Sequence, residues 1–489
     1  MNWHDLFYST FYFCERVIIG YVAVINTAYF VLMVLGFFAI RAYRIRLKRT
    51  EYDALLKSAL VPAVSVLTPA YNEAATIRDS IRAMLNLQYP QLEVIVINDG
   101  STDETLNLLI DEFKLYRSSR QPAGSISTQP IKAVYESCGQ IRLLVINKEN
   151  GGKADSLNAG LNYARTPLVA AVDSDSLIEP DALLSIVRPF LEDPRRTIAA
   201  GGIVRIANGC TVENGRVQRV AAPTSFLAQF QAIEYLRAFL GGRIAFSFLN
   251  SLLIISGAFG VFRRAAVIQA GGFTTSTVGE DMELVVRLHK LWRGSGIDYR
   301  VVFVPEPVCW TEVPETLKML RRQRNRWQRG TVESLWMHRR MLFNPRYGLL
   351  GLFAFPYFVL FEMLGPAVEL LGYILTVAGL ALRLISAETA CLFFVVSILF
   401  GILLSVSALI LEELTLRRYS SPRDLLRLFC AAIVENLWFR QLLTLWRTQG
   451  VIDGLRGKQG WGQMERRGFR PLNSTEPVRE GERPVVVQS

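Results

Sequence analysis

The sequence predicts an α/β domain with a mixed, mostly parallel Rossmann-like sheet, held between membrane helices at both ends of the chain. Three observations lead there. An uncharged apolar stretch occupies residues 17–40, short β-branched runs alternate with helical patterns over residues 62–296, and a second apolar region begins near Tyr347.

The first stretch exceeds the roughly 20 apolar residues needed to cross a hydrocarbon core about 30 Å thick. A cleaved signal peptide has a shorter apolar core and a small-residue cleavage site, whereas this one runs into Arg41, Arg44, Arg46, Lys48 and Arg49. It therefore reads as an uncleaved signal anchor, with the basic side and the segment after it in the cytosol. A chain of 489 residues with 51% apolar content is also too long for one small domain and too apolar to be wholly soluble. The net charge of +11 comes from Lys and Arg beside the apolar spans and in a helix near Arg324, without interleaved stacking aromatics, which argues against nucleic acid. Six scattered cysteines with no CxxC pair argue against a zinc site and a disulfide framework.

Residues 64–68, 93–98, 141–146 and 168–172 read as buried strands, and the stretches from Glu73, Thr102 and Lys153 as the helices between them. That alternation implies a parallel sheet, in which ligands bind beyond the carboxyl ends of the strands. Polar clusters fall at those ends: Tyr71-Asn72-Glu73, Asn98-Asp99-Gly100-Ser101 and Asp173-Ser174-Asp175. Residues 117–139, rich in Ser, Gln, Pro and Gly, read as a surface loop.

Two aspartates one residue apart at a strand end can hold Mg²⁺ or Mn²⁺ through hard oxygen ligands while a diphosphate supplies more. Such a pair is a weak signal alone, but it has company. Asp99 follows an earlier strand, where its carboxylate could accept from a base or ribose, or cap the next helix. Asn150-Gly151-Gly152-Lys153 offers close backbone approach and a lysine for a phosphate.

The ordered series Thr68-Pro69-Ala70-Tyr71-Asn72-Glu73, Asn98-Asp99-Gly100-Ser101-Thr102-Asp103, Asn150-Gly151-Gly152-Lys153, Asp173-Ser174-Asp175, Gly279-Glu280-Asp281 and Gln323-Arg324-Asn325-Arg326-Trp327 resembles the family 2 glycosyltransferases. It is most similar to the membrane-embedded processive branch of poly-N-acetylglucosamine, cellulose, chitin and hyaluronan synthases. The resemblance implies a GT-A nucleotide-sugar domain over roughly residues 62–330. It also implies that Asp99 meets the uridine, that Asp173 meets the donor nucleotide or its sugar, and that Asp175 binds the metal. Asp281 matches the general base of a single inverting displacement, although the turn could equally cap a helix beginning at Met282. In the QxxRW motif, Arg326 can pair with the departing pyrophosphate and Trp327 can stack under an acceptor sugar, with Gln323 and Lys153 among the donor-binding residues. By charge alone the same helix would lie on anionic lipid, and the two roles are compatible.

The expected organisation is a transmembrane anchor over 1–48, a cytosolic GT-A domain over 49–312, an interfacial helix over 313–346, a membrane region over 347–447 and a basic, partly disordered tail over 448–489. Residues 349–382 should form a broken span and residues 389–411 a clean one. Residues 428–446, short and carrying Glu435 and Arg440, fit an interfacial or re-entrant segment best, because three spans leave the basic tail inside. Residues 231–253, with Arg237 and Arg243, suggest a further interface helix.

The resemblance implies a multi-pass enzyme of the inner (plasma) membrane that extends a β-linked polysaccharide from a UDP-sugar, preferably a UDP-N-acetylhexosamine, and passes the product through its helices. The implied partners are the UDP-sugar, a glycan or lipid acceptor, membrane lipid and accessory export or assembly proteins. The alternative is a single addition to a lipid or other membrane acceptor, since a fold does not fix the acceptor.

Overall fold

A helix of 46 residues, α1 (Trp3–Lys48), begins the fold, and its Tyr8–Leu47 portion is long and apolar enough to cross a membrane. The computed structural model describes residues 3–48, 61–138, 142–213, 215–416, 418–419 and 421–458. The end of α1 is fastened to the domain that follows. Tyr43 donates to Glu306 at 3.1 Å, and Arg188 meets the same carboxylate at 3.0 Å.

The domain alternates strand and helix as its buried β-branched runs dictate: β1 (Val64–Ala70), α2 (Ile77–Leu85), β2 (Leu92–Asp99), α3 (Thr105–Phe113), β3 (Leu115–Arg117), β4 (Ile131–Ser137), β5 (Leu143–Lys148), α4 (Gly152–Tyr163), β6 (Leu168–Val172) and β7 (Ser176–Ile178). There follow α5 (Ala182–Glu192), β8 (Thr197–Ile206), the small ribbon β9 (Thr211–Glu213) and β10 (Arg216–Arg219), and α6 (Phe226–Leu236). After a π-helical turn (Arg237–Arg243) come α7 (Ile244–Phe248), β11 (Phe259–Arg263), α8 (Arg264–Gln269), α9 (Glu280–Gly294), β12 (Arg300–Thr311) and α10 (Leu317–Met337).

The main sheet runs β3-β4-β5-β2-β1-β6-β11-β8-β12-β7. Neighbours from β5 through β2 and β1 to β6 are parallel, as are β8 and β12, whereas β11 runs antiparallel between β6 and β8. The parallel block has a direct consequence for function. The carboxyl ends of β1, β2, β5 and β6 lie along one edge, bringing there the polar clusters that follow each strand.

Residues 117–139 are not wholly a loop. β4 pairs antiparallel with β5, and β3 with β4, so a hairpin extends the sheet by two strands. Only Val134 of β4 is fully buried, and Lys132 and Glu136 interrupt its apolar positions, so the run lacks the continuous hydrophobic signature of the central strands. The expected interface helix over 231–253 is likewise divided, with α6 and α7 meeting at the π-helical turn.

Beyond α10, Leu350–Met363 (α11) and Gly365–Ala381 (α12) form a pair bent by 43°, as the Gly365-Pro366 break predicts. α13 (Ala387–Thr415) and α14 (Pro422–Leu455) are each long and apolar enough to cross a membrane. Residues 428–446 are the middle of a 34-residue helix, longer than their own apolar run suggests. Its charges are tolerated because they are partnered: Glu435 accepts from Ser405 at 2.6 Å and pairs with Arg237, and Arg440 donates to Asn436 at 3.1 Å. Counting α1, the described residues contain three such helices, or four with the bent pair. The Gly460-Trp461-Gly462-Gln463-Met464 stretch and the last arginines of the tail lie outside the described residues.

The membrane helices dock on the domain through charge. Arg205 of β8 and Glu412 of α13, both buried, pair at 2.7 Å, and Arg418 reaches Glu179 at 3.0 Å just after β7.

Candidate active site

At the end of β2, Asp99 turns inward and is buried. Lys148, at the end of neighbouring β5, donates to its Oδ1 at 2.5 Å, while the amides of Gly151 and Gly152 reach its two oxygens at 2.9 and 2.8 Å. Lys148 also meets Asp155 in the first turn of α4, at 2.7 Å. Asp99 thus anchors the glycine-rich turn and the start of α4. Gly100, at φ 69°, is where only glycine fits: a Cβ would come within 2.9 Å of the Asn150 amide.

Lys153, the second residue of α4, points across the sheet edge to the end of β6. Its Nζ lies 2.5 Å from Asp173 Oδ1 and 3.3 Å from Glu280. Burial alone would lower its pKa, but the Asp173 and Glu280 carboxylates outweigh that and raise it, so it is firmly cationic. Glu280 itself is pushed up, first by burial and then by Asp281 and Asp173, against the opposing pull of Lys153.

α9 begins at Glu280 rather than at Met282, so Asp281 sits in its first turn. One carboxylate oxygen accepts from the Gly257 amide at 2.9 Å and the other from its neighbour Met282 at 2.8 Å. The two donors aim the carboxylate and leave it half-buried, beside the Lys153–Asp173 pair.

α10 carries Gln323, Arg324, Arg326 and Trp327. Arg324 is buried, donates to Glu234 at 2.7 Å, and lies 4.3 Å from the centre of the Trp327 ring. Trp327 remains 42% exposed, which leaves much of the side chain open to a ligand. Its ring also meets Tyr235 of α6, 6.2 Å away. Tyr235 is pushed up to about 12 by burial, with Arg324 and Arg243 pulling down and Glu234 and Asp175 pushing up.

The same helix grips the turn that precedes Asp281. Glu333 accepts from the Thr277 hydroxyl at 2.8 Å and from the Val278 amide at 2.9 Å, and Gly330 abuts Gly279. In this way α10 joins the Gln323-Arg324-Asn325-Arg326-Trp327 motif to Asp281.

Asp173, Lys153 and Asp281 are brought together, and Asp175 follows two residues after Asp173 on the same strand-end turn. Asp99 lies one step back, committed to the glycine turn. Glu280, Lys148, Tyr235 and Glu333 belong to the site as well, although no motif role marks them. Glu280 was legible as the middle of Gly279-Glu280-Asp281. The others are joined to it only by folding.

Among the described residues no group of three or more His, Cys, Asp or Glu side chains is placed to hold a metal. Asp173 and Asp175 offer two hard carboxylates, a set that fits a divalent cation sharing its coordination with a ligand's own oxygens. It does not fit a closed structural metal site.

The chain is similar to known proteins. The model of glycosyl transferase family 2 matches residues 65–122, and that of glycosyl transferase family group 2 matches residues 168–404. The poly-beta-1,6-N-acetyl-D-glucosamine synthase of Staphylococcus epidermidis is 29% identical over 275 residues, 56% of each chain. Its Staphylococcus aureus counterpart is 31% identical over 274 residues, 56% of this chain and 55% of that one. The chain thus spans about half the length of the curated relatives it matches. Among solved structures, the mannosyltransferase PcManGT from Pyrobaculum calidifontis, in complex with GDP-Man and Mn2+, superposes with a TM-score of 0.51 at 19% identity, covering 86% of this chain and 99% of that one. That likeness concerns the fold, a GT-A sheet with helices at both ends.

Proposed function

Since the chain belongs to the family 2 glycosyltransferases, we propose that it moves a sugar from a UDP-sugar, preferably a UDP-N-acetylhexosamine, to the end of a growing β-linked polysaccharide, with inversion. The choice of sugar follows the names of the staphylococcal relatives. The observation that carries the reading is Asp281, held by the Gly257 and Met282 amides beside the Lys153–Asp173 pair.

In this reading Asp281 takes the proton of the acceptor hydroxyl as that oxygen attacks the anomeric carbon from the side opposite the nucleotide. Bond making and breaking in one displacement invert the configuration. Arg326 pairs with the diphosphate as it departs, with Lys153 and Gln323 in support, and Trp327 stacks beneath the acceptor sugar. Asp173 orients the donor, while Asp99 shapes the pocket for its uridine. Asp175, with Asp173, would hold Mg²⁺ or Mn²⁺, which supplies neutralising charge for the diphosphate.

The same enzyme carries its product across the inner membrane, with the GT-A domain on the cytosolic side. A polar stripe on α14 supports this. Arg447 meets Gln328 of α10 at 2.8 Å and Glu362 at 3.1 Å, and Thr444 donates to Glu369 at 3.2 Å, so polar contacts run from beside Trp327 into the membrane helices.

The test is the purified full chain with a panel of UDP-sugars and Mg²⁺ or Mn²⁺. One donor should yield free UDP and long glycans, and chelation should stop both. Products ending after one addition would replace polymerisation with single transfer to a membrane acceptor.

A further inference from the structure

Arg243 closes the π-helical turn between α6 and α7, and nothing in the reaction above employs it. Its guanidinium lies 4.0 Å from the centre of the Phe239 ring, yet its Nη1 is buried without a hydrogen-bond acceptor among the described residues. A buried cation of this kind is costly unless something satisfies it. π-Helical turns inside helices are frequent at functional sites, where the extra residue redirects a side chain.

The surroundings indicate what would satisfy it. Phe239 meets Tyr235 at 5.9 Å, and Tyr235 meets Trp327 at 6.2 Å, giving a row of aromatic rings with Arg243 at one end and the exposed Trp327 at the other. Burial lowers Arg243 to about 10, and the Asp281 carboxylate opposes that shift. It therefore lies in the field of the base that faces the acceptor. Asp173, on the donor side, is already paired with Lys153.

We propose that Arg243 binds the terminal acceptor sugar, donating hydrogen bonds to its oxygen atoms while the exposed Trp327 lies against the ring. This rests on the transferase reading of the site. A fixed guanidinium there rewards hydroxyl and amide oxygens and repels an ammonium group. The acceptor end is accordingly an N-acetylated sugar, and a free amino sugar is rejected.

Calorimetric titration of the full chain in nanodiscs tests this without turnover. The probes are a β-linked N-acetylglucosamine pentasaccharide, its fully de-N-acetylated counterpart, and UDP with Mn²⁺. Wild type should bind the N-acetylated pentasaccharide at least about tenfold more tightly than the amine form. Arg243→Gln should weaken the N-acetylated probe by about tenfold or more, the scale of a lost charged hydrogen bond, and abolish the preference. UDP affinity should stay within about twofold. Arg243→Lys, which keeps the charge with a different donor geometry, should fall between the two and serves if the Gln variant does not purify. The proposal is overturned if the variants bind the N-acetylated probe as wild type does, if UDP affinity falls alongside, or if wild type fails to bind or to discriminate the pentasaccharides. UDP release from UDP-sugars by wild type, measured separately, reports on the transferase reading itself.

Discussion

Gly279 and Gly330 stand backbone against backbone: a Cβ on Gly279 would lie 2.7 Å from the Gly330 Cα, and one on Gly330 would lie 2.8 Å from the Gly279 Cα. Neither contact can be relieved by rotating a side chain, because both partners are main chain. The turn that delivers Asp281 and the helix that carries Trp327 are packed as closely as two chains can be.

Alanine at position 330 should therefore separate α10 from the turn. Overpacking of this kind costs about 1–3 kcal/mol. The expected outcome is a lower melting temperature and a fall in kcat larger than any change in UDP affinity, measured by thermal unfolding and UDP-release kinetics. A Gly330→Ala enzyme with unaltered kcat would show that the contact does not set the position of Asp281.

Glu333 secures the same turn by hydrogen bonds to Thr277 and Val278. Replacing it with Ala leaves two partly buried donors without this acceptor, a combined penalty of about 1–3 kcal/mol. Expressed in turn position, this lowers kcat about tenfold or more. Gln, which keeps an acceptor oxygen, should recover much of the loss. Donor KM should scarcely move in either variant.

Much of the catalytic edge was legible before folding, and the reason is local. The central strands are continuous β-branched runs, and Asp99, Lys153, Asp173 and Asp281 each lie within a few residues of a strand end or helix start. Glu333 and Arg243 were not legible as working residues, because their roles arise from contacts across the fold rather than from spacing. β4 was hidden by the charges along its half-exposed face. α14 was hidden for a related reason: Glu435 and Arg440 mark a polar segment until their partners on other elements are known.

The buried pair Arg205–Glu412 joins β8 to α13. Arg205→Ala would strand a carboxylate inside the protein, at about 3–5 kcal/mol. The double variant Arg205→Met with Glu412→Leu should be more stable than Arg205→Ala, because no charge is left unpaired. Thermal unfolding in detergent of the single and double variants checks this.

Glu283 gives a pH dependence. Burial alone would raise it, but hydrogen bonds from His338 and Arg287 win and hold it down at about 2. A depressed carboxylate stabilises the fold above its unfolded pKa of about 4.3, and that contribution is lost as pH falls towards 2. The stability gap between wild type and Glu283→Gln should be widest above about pH 5 and shrink as the medium is acidified below that. Unfolding midpoints of both proteins between pH 3.5 and 7 read the difference.

Removal of the acceptor proton by Asp281 is decided by the Asp281→Asn variant. Asn keeps the shape and an oxygen for one of the two amides, but it cannot serve as the base. UDP binding, measured by calorimetry, should stay within about threefold of wild type, while sugar transfer should fall by at least about a hundredfold. Transfer at the wild-type rate, or loss of UDP binding in step with transfer, would contradict that role.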